Sequence, residues 1–178
     1  FIAKHRSQDP RFKLIKTLDI VVPDDYVHAT CLATFGEAHR SKFYFYDDNL
    51  TDQNFSRATT QLKPGQKLKV DIFQIQEQVS SEDCMAFLHT QKAILTGAQG
   101  ASLVYEQKRQ DLPKNRGHIS FDGKENLWKD ADGHHRVPYI DAYSVGVFLF
   151  RLGVFEGPWR DFFCLLSFRD AEAASADE

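Results

Sequence analysis

Between Ala142 and Leu152 the chain alternates, and both parities of the alternation are apolar. One parity holds Ala142, Ser144, Gly146, Phe148, Phe150 and Leu152; the other holds Tyr143, Val145, Val147, Leu149 and Arg151. Alternate residues of a strand point to opposite faces, so a period of two divides this run into two surfaces. With Phe148, Phe150 and Leu152 packed inward, the other five form an outward row that is largely apolar. A solvated strand face is normally polar, so such a row calls for a second layer or for a ligand.

The next sixteen residues are equally rich in aromatic side chains. Gly153 reads as the end of the strand, Phe155-Glu156-Gly157-Pro158-Trp159 and Arg160 to Phe163 as an exposed aromatic loop, and Cys164 to Phe168 as a buried final strand. A surface joining Tyr143, Arg151, Arg160, Phe162 and Phe163 has the aromatic and arginine content of a protein-binding hot spot. The composition is compatible, with 15 Phe against one Met and two Trp. Aromatic residues serve sheets and recognition surfaces alike.

The rest of the chain is read from the same periodicities. Phe12 to Val22 is a strand closed by Pro23-Asp24-Asp25. Tyr26 to Phe35 and Lys42 to Tyr46 are rich in β-branched and aromatic residues, so the first 46 residues read as β-dominated. After a turn at Lys63-Pro64-Gly65-Gln66, Leu68, Val70 and Ile72 alternate with Lys67, Lys69 and Asp71 in a half-buried strand. Ser80-Ser81-Glu82-Asp83 caps a helix of about ten residues that carries Cys84, Phe87 and Leu88. Gly97-Ala98-Gln99-Gly100 is a turn, Ser102 to Leu112 a second helix stopped by Pro113, and Lys114 to Gly133 a polar loop anchored by Phe121, Leu127 and Trp128. Strands, then two helices, then short strands argue for one α+β domain rather than a βαβ sheet. Within it, residues 1–78 form a β-rich N-terminal portion and 79–170 the core. Residues 171–178, Ala, Ser and acid only, read as a disordered tail.

Several function classes are disfavoured. A net charge of −3 provides no basic footprint for nucleic acid. No 18 apolar residues run together, so membrane insertion is not expected. The opening Phe1-Ile2-Ala3-Lys4-His5-Arg6 lacks the apolar core of a signal peptide, and Phe in place of Met points to a trimmed chain, which leaves localisation open. Cys31, Cys84 and Cys164 form no CxxC pair and read as small buried hydrophobes. Asp130-Ala131-Asp132-Gly133 resembles a fragment of a calcium loop without its later ligands. His118, His134 and His135 lie near Asp122, Asp130 and Asp132, a stretch suited to metal or acid–base work, but with no HxH or HxxxH pair. Cys164 and Ser167 are candidate nucleophiles without a surrounding elbow. The triplets Asn49-Leu50-Thr51 and Asn54-Phe55-Ser56 match the glycosylation sequon and mark a surface loop. No cofactor and no metal are expected.

The framework Arg136-Val137-Pro138-Tyr139, Ser144, Gly146, Phe148, Phe150, Leu152-Gly153, Phe155-Glu156, Trp159 and Cys164-Leu165-Leu166-Ser167-Phe168-Arg169 resembles the variable region of a diversity-generating retroelement target protein. In that family a reverse transcriptase copies a template with errors at adenines, so that Asn codons become any NNY codon. The resemblance covers about residues 80 to 169, with a variable region over about 137–169. It implies a C-type lectin-like α+β fold of the formylglycine-generating-enzyme branch, with two helices and short antiparallel strands. It also implies a solvent-facing, hypervariable surface that binds a protein or cell-surface ligand, on a virion or a cell surface. The variable positions it implies are Ile140, Asp141, Tyr143, Val145, Val147, Leu149, Arg151, Val154, Gly157, Pro158, Arg160, Phe162 and Phe163. NNY codons cannot encode Lys, Glu, Gln, Met or Trp, which supply 34 of the 178 residues, and none of the thirteen is one of these. No catalysis is implied. The alternative within the same branch is an oxidase using Cys164 or a His/Asp metal site, although the enzymes of that branch use a cysteine pair and only Cys164 stands here. The EPN, QPD and WND triplets of sugar-binding lectins are absent.

Overall fold

The strand signals of the N-terminal and C-terminal parts converge on one sheet. The computed structural model describes residues 9–171. In chain order it has β1 (Phe12–Val21), α1 (Cys31–His39), β2 (Phe45–Tyr46), β3 (Lys67–Ile75), α2 (Ser81–Thr90), α3 (Gly97–Lys108), β4 (Arg116–Ile119), β5 (Arg136–Ser144), β6 (Val147–Val154) and β7 (Phe163–Asp170). The strands form a seven-stranded sheet in the order β1-β3-β7-β4-β5-β6-β2. The β4/β7 and β2/β6 contacts are parallel and the others antiparallel. The protein is thus mixed α+β and richer in sheet than two helices with short strands: among the described residues there are three α-helices, and β1 runs for 10 residues. The acidic tail read over 171–178 lies, apart from Ala171, outside the described residues.

Several local readings are corrected. Tyr26 to Phe35 is not a strand but a 3-10 turn leading into α1. Leu32 and Phe35, three apart, both face the core, and the Asp52 carboxylate caps the helix by accepting from the amides of Leu32 (2.8 Å) and Ala33 (3.0 Å). A cap supplied from another segment overrides local β-propensity. Gly97 to Gly100 is not a separate turn but the first turn of α3, and that helix stops at Lys108, ahead of Leu112. The span from Lys114 to Gly133 contains β4, which the ladders of β5 and β7 hold from both sides. The alternation from Ala142 to Leu152 is a hairpin rather than one strand: β5 and β6 meet at Val145-Gly146, with Gly146 at φ +77° and a bulge at Tyr143. Gly153 lies inside β6 rather than ending it.

The sheet is covered unequally. On one face Leu68, Val70, Ile72, Ile140, Ala142, Phe148, Phe150, Leu166 and Phe168 are buried beneath α1 and α3. Tyr105 of α3 stacks on Phe43 at 4.3 Å and meets Phe148 edge-on at 5.3 Å, while Phe35 of α1 meets Phe150 at 5.9 Å. On the other face α2 covers one end, where Phe87 stacks on Phe12 at 4.3 Å and meets Phe73 at 4.8 Å. The helix begins as its sequence dictates, in a capping box: the Ser80 hydroxyl accepts from the Asp83 amide and the Asp83 carboxylate from the Ser80 amide. Beside α2, Val79 and Trp159 exchange two backbone hydrogen bonds of 2.9 and 2.8 Å, and the Trp159 indole donates to Ser81 Oγ at 2.8 Å.

Trp159 is therefore a clasp rather than part of an exposed loop. It is 3% exposed and packs against Tyr139, Phe121 and Phe163. Its ring lies directly on Gly153, where a Cβ would come within 2.5 Å of the indole. Gly153→Ala is expected to lift the clasp and destabilise the fold by about 2 kcal/mol, with a red-shifted tryptophan emission, read in urea unfolding at neutral pH.

Candidate functional site

The Trp159 clasp covers the second face of β5 and β6 only as far as Tyr139 and Gly153, and beyond them the register produces a continuous cross-strand row. Phe45 pairs with Leu149, Leu149 with Asp141, Asp141 with Gly117, and Gly117 with Phe163, so five residues from β2, β6, β5, β4 and β7 stand side by side. Gly117 is buried because aromatic rings take the space of its missing side chain: a Cβ there would lie 2.8 Å from the Phe163 ring and 3.1 Å from that of Phe162. Around the row, Tyr143 is 62% exposed, Phe45 44% and Phe162 37%. Arg151 is exposed, one step along from Leu149, with its guanidinium 5.4 Å from the Phe45 ring centre.

Asp141 is the polar member of the row. It is buried, and its Oδ1 has no hydrogen-bond partner among the described residues. Burial pushes its carboxyl above the usual carboxylate range, with the Arg151 charge pulling the other way.

The thirteen candidate positions divide by this geometry. Asp141, Tyr143, Leu149, Arg151, Phe162 and Phe163 gather on or beside the row. Val145 is at the hairpin tip, 87% exposed, with Val147 half-buried beside it. Pro158 and Arg160 are exposed and Val154 and Gly157 half-buried in the segment that carries Trp159. Ile140 is corrected: it belongs to the opposite face, wholly buried in the core under the helices. Asp141 and Leu149 are also buried, so the outward row is less open than alternation alone implies, yet Leu149 lies outside the main hydrophobic core cluster. Phe45 and Gly117 are members of this surface that the sequence pattern does not single out. The aromatic run from Phe43 to Tyr46 is the available signal for Phe45; Gly117 sits in a four-residue strand too short to register as periodicity.

Most of the remaining chemical candidates are buried or hydrogen-bonded within the protein. The thiols of Cys84 and Cys164 are buried, and desolvation pushes Cys164 up to about 12, far from a reactive thiolate. His118 is Cys164's ladder neighbour but does not activate it: its Nε2 lies 2.8 Å from the Pro113 carbonyl and its Nδ1 has no hydrogen-bond partner among the described residues. Ser167 is buried in β7. Asp130, Asp132 and His134 offer ligand atoms within 4.8 Å of one another, and among the described residues this is the one such group. The Asp130 carboxylate is already committed, accepting from the Asp132 and His134 amides and from Arg136 Nε at 2.7 Å, which makes it the organiser of a turn. The Asp122 carboxylate likewise accepts from the Thr59 and Gly123 amides, and His135 Nδ1 lies 2.8 Å from Glu156 Oε2. A cavity of about 410 Å³ beneath the hairpin tip is lined by Lys42, Arg109 and Lys114, but Arg109 and Lys114 donate to carbonyls at the end of α3. Asn49 lies exposed on its loop, in line with the sequon reading of a surface segment.

No protein-family model, curated protein or solved structure matches this chain. Among the described residues no helix is long and apolar enough to cross a membrane.

Burial separates the effects of two substitutions. Val145→Asp is expected to leave unfolding free energy within about 0.5 kcal/mol of the parent, whereas Ile140→Ser costs about 3 kcal/mol or more, both read by urea denaturation. His118 is buried and desolvated down to about 4. The unfolded chain takes up its proton near pH 6.5 and the folded one only near 4, so this contribution is complete above about pH 6.5 and falls away as pH drops from 6.5 to 4. His118→Gln, which keeps a donor for the Pro113 carbonyl, should therefore lose about 2 kcal/mol less between pH 7 and pH 5 than the parent does. Equal losses in the two proteins would contradict it.

Proposed function

We propose that this protein is a binding domain whose ligand, a protein or cell-surface molecule, sits on the open part of the sheet and the adjoining β5–β6 hairpin. The observation that carries this reading is the exposure of Phe45, Tyr143, Arg151 and Phe162 at and around a largely buried cross-strand row. Aromatic side chains and arginine on a rigid sheet provide large contact area at little cost in conformational entropy. The finer reading is that of a diversity-generating retroelement variable protein with a C-type lectin-like arrangement, displayed on a virion or cell surface. Its support is the separation between a buried framework, Phe148, Phe150, Leu152, Trp159 and Leu165, and exposed positions between the framework residues, Tyr143, Val145, Arg151, Pro158, Arg160 and Phe162. Such a separation lets side chains change while the backbone stays in place. Ile140 drops out of the diversified set because it belongs to the core. The oxidase reading, through Cys164 or a His/Asp metal site, has less support: Cys164 is a desolvated thiol, and in the group Asp130, Asp132 and His134 the Asp130 carboxylate is taken up by two backbone amides and Arg136.

Sequencing the DNA that flanks the coding region tests diversification. A near-copy of the stretch encoding Val137 to Arg169, differing only at its adenines and accompanied by a reverse-transcriptase gene, is the expected result; no such copy refutes the retroelement reading. The binding scaffold is tested separately. A library carrying NNY codons at Tyr143, Val145, Arg151, Arg160 and Phe162 should remain mostly folded by thermal melting. The same codons at Phe148, Phe150 and Leu152 should leave few folded members. Comparable losses in both libraries would mean that the exposed positions are structural.

A further inference from the structure

Asp141 carries a cost for which the fold offers no return. Its Oδ1 is buried in the row Phe45–Leu149–Asp141–Gly117–Phe163 with no donor to answer it among the described residues. A buried acceptor left unmet loses its hydration without compensation, and the penalty is greater for a carboxylate than for a neutral group. The other buried aspartates are satisfied: Asp71 accepts from Thr17 and Arg169, and Asp122 from two backbone amides. Asp71 stands on the same face of the sheet as Asp141, and the difference between them is that Thr17 and Arg169 answer Asp71 while Asp141 Oδ1 has no donor among the described residues.

Building on the binding-face reading above, we propose that this row seats a basic side chain, a guanidinium carried by a protein ligand, with the Asp141 carboxylate as its acceptor between Leu149 and the Phe162 ring. An ionised carboxylate only accepts, and its strongest partner is a charged donor. The surroundings select among cations. An ammonium seeks three acceptors, whereas the neighbours of Asp141 on the row are Leu149 and Gly117 roofed by Phe162 and Phe163. A guanidinium is planar and weakly hydrated, and it stacks on aromatic faces such as the exposed Tyr143 and Phe162 while donating in pairs to one carboxylate. Arg151, opposite Tyr139 in the ladder, is the nearby cation of the protein itself; it is engaged by the Tyr139 hydroxyl and the Phe45 ring, and its charge acts on Asp141 without a hydrogen bond to Oδ1.

The test is a ¹⁵N NMR titration of the 178-residue chain with Nα-acetyl-arginine amide and, separately, with its neutral isostere Nα-acetyl-citrulline amide, repeated on Asp141→Asn. The arginine probe should move the amide signals of Gly117, Asp141, Leu149 and Phe163 saturably, the citrulline probe should bind at least about tenfold more weakly, and Asp141→Asn should weaken the arginine probe by a similar factor. The probe comparison on the parent protein needs no variant, so the result does not depend on how the substitution folds. Equal saturable binding of both probes at these residues overturns the charged seat and leaves the binding face standing. Unchanged affinity in Asp141→Asn, or no saturable shift with the arginine probe, also overturns it, while the face itself is decided by the folded fractions of the two libraries.

Discussion

Helix α3 rests on the sheet through small side chains, and the arrangement of everything else depends on that close approach. From Gly97 to Tyr105 every residue is buried, and the first six are Gly, Ala, Gln, Gly, Ala and Ser. At Gly100 a Cβ would come within 1.8 Å of Thr96 Oγ1 and 3.0 Å of the Phe168 ring, so the helix has no room to be other than glycine there. Gly97, at φ +58°, supplies the left-handed turn from which the helix starts. The buried polar groups at this end are met within the protein: Ser120 Oγ donates to the Gly97 carbonyl at 2.6 Å and Gln99 Nε2 to the Phe55 carbonyl at 2.9 Å. With α3 pressed onto one face, Phe148, Phe150 and Ile140 have a single place to go.

The opposite face then receives only what remains of the chain. A ten-residue helix and the Trp159 clasp cover the end built from Phe12, Phe73 and Ile75 and reach as far as Tyr139 and Gly153. Beyond that boundary Tyr143, Arg151 and Phe162 stand exposed, and among them is a buried carboxylate without a hydrogen-bond partner for Oδ1 among the described residues, flanked by leucine and aromatic rings. A surface on sheet strands is held more rigidly than one on loops, which favours recognition by exchange of side chains over recognition by rearrangement. Scaffold and ligand choice rest on different physics. The scaffold depends on the burial of apolar framework residues, and the choice of ligand depends on hydrogen bonding and charge at a few positions on the rim.

Period-two alternation and helix caps are legible directly. The strand at Lys67–Ile75, the ten-residue α2 with its capping box, and the buried final strand from Cys164 all arise from local patterns that tertiary contacts merely reinforce. The burial of Phe148, Phe150 and Leu152 is legible for the same reason. What local pattern does not disclose is any element whose stabilising partner lies far away in sequence. Helix α1 depends on a carboxylate twenty residues downstream, and β4 on ladders to β5 and β7. The alternation over 142–152 reads as a single strand because the two-residue turn and the extra residue of the bulge at Tyr143 together preserve the parity count, so that Ala142 pairs with Phe148, while the chain reverses.

The sequence by itself determined that this protein is α+β and that its C-terminal third is an apolar alternating framework. These are consequences of spacing and side-chain chemistry within a few residues. Only the tertiary structure decided that Ile140 belongs to the core, that Trp159 is a clasp, and that Phe45, Leu149, Asp141, Gly117 and Phe163 form one row. Strand order and register set those relations, and register is a property of hydrogen-bonded pairs of strands, not of either strand alone.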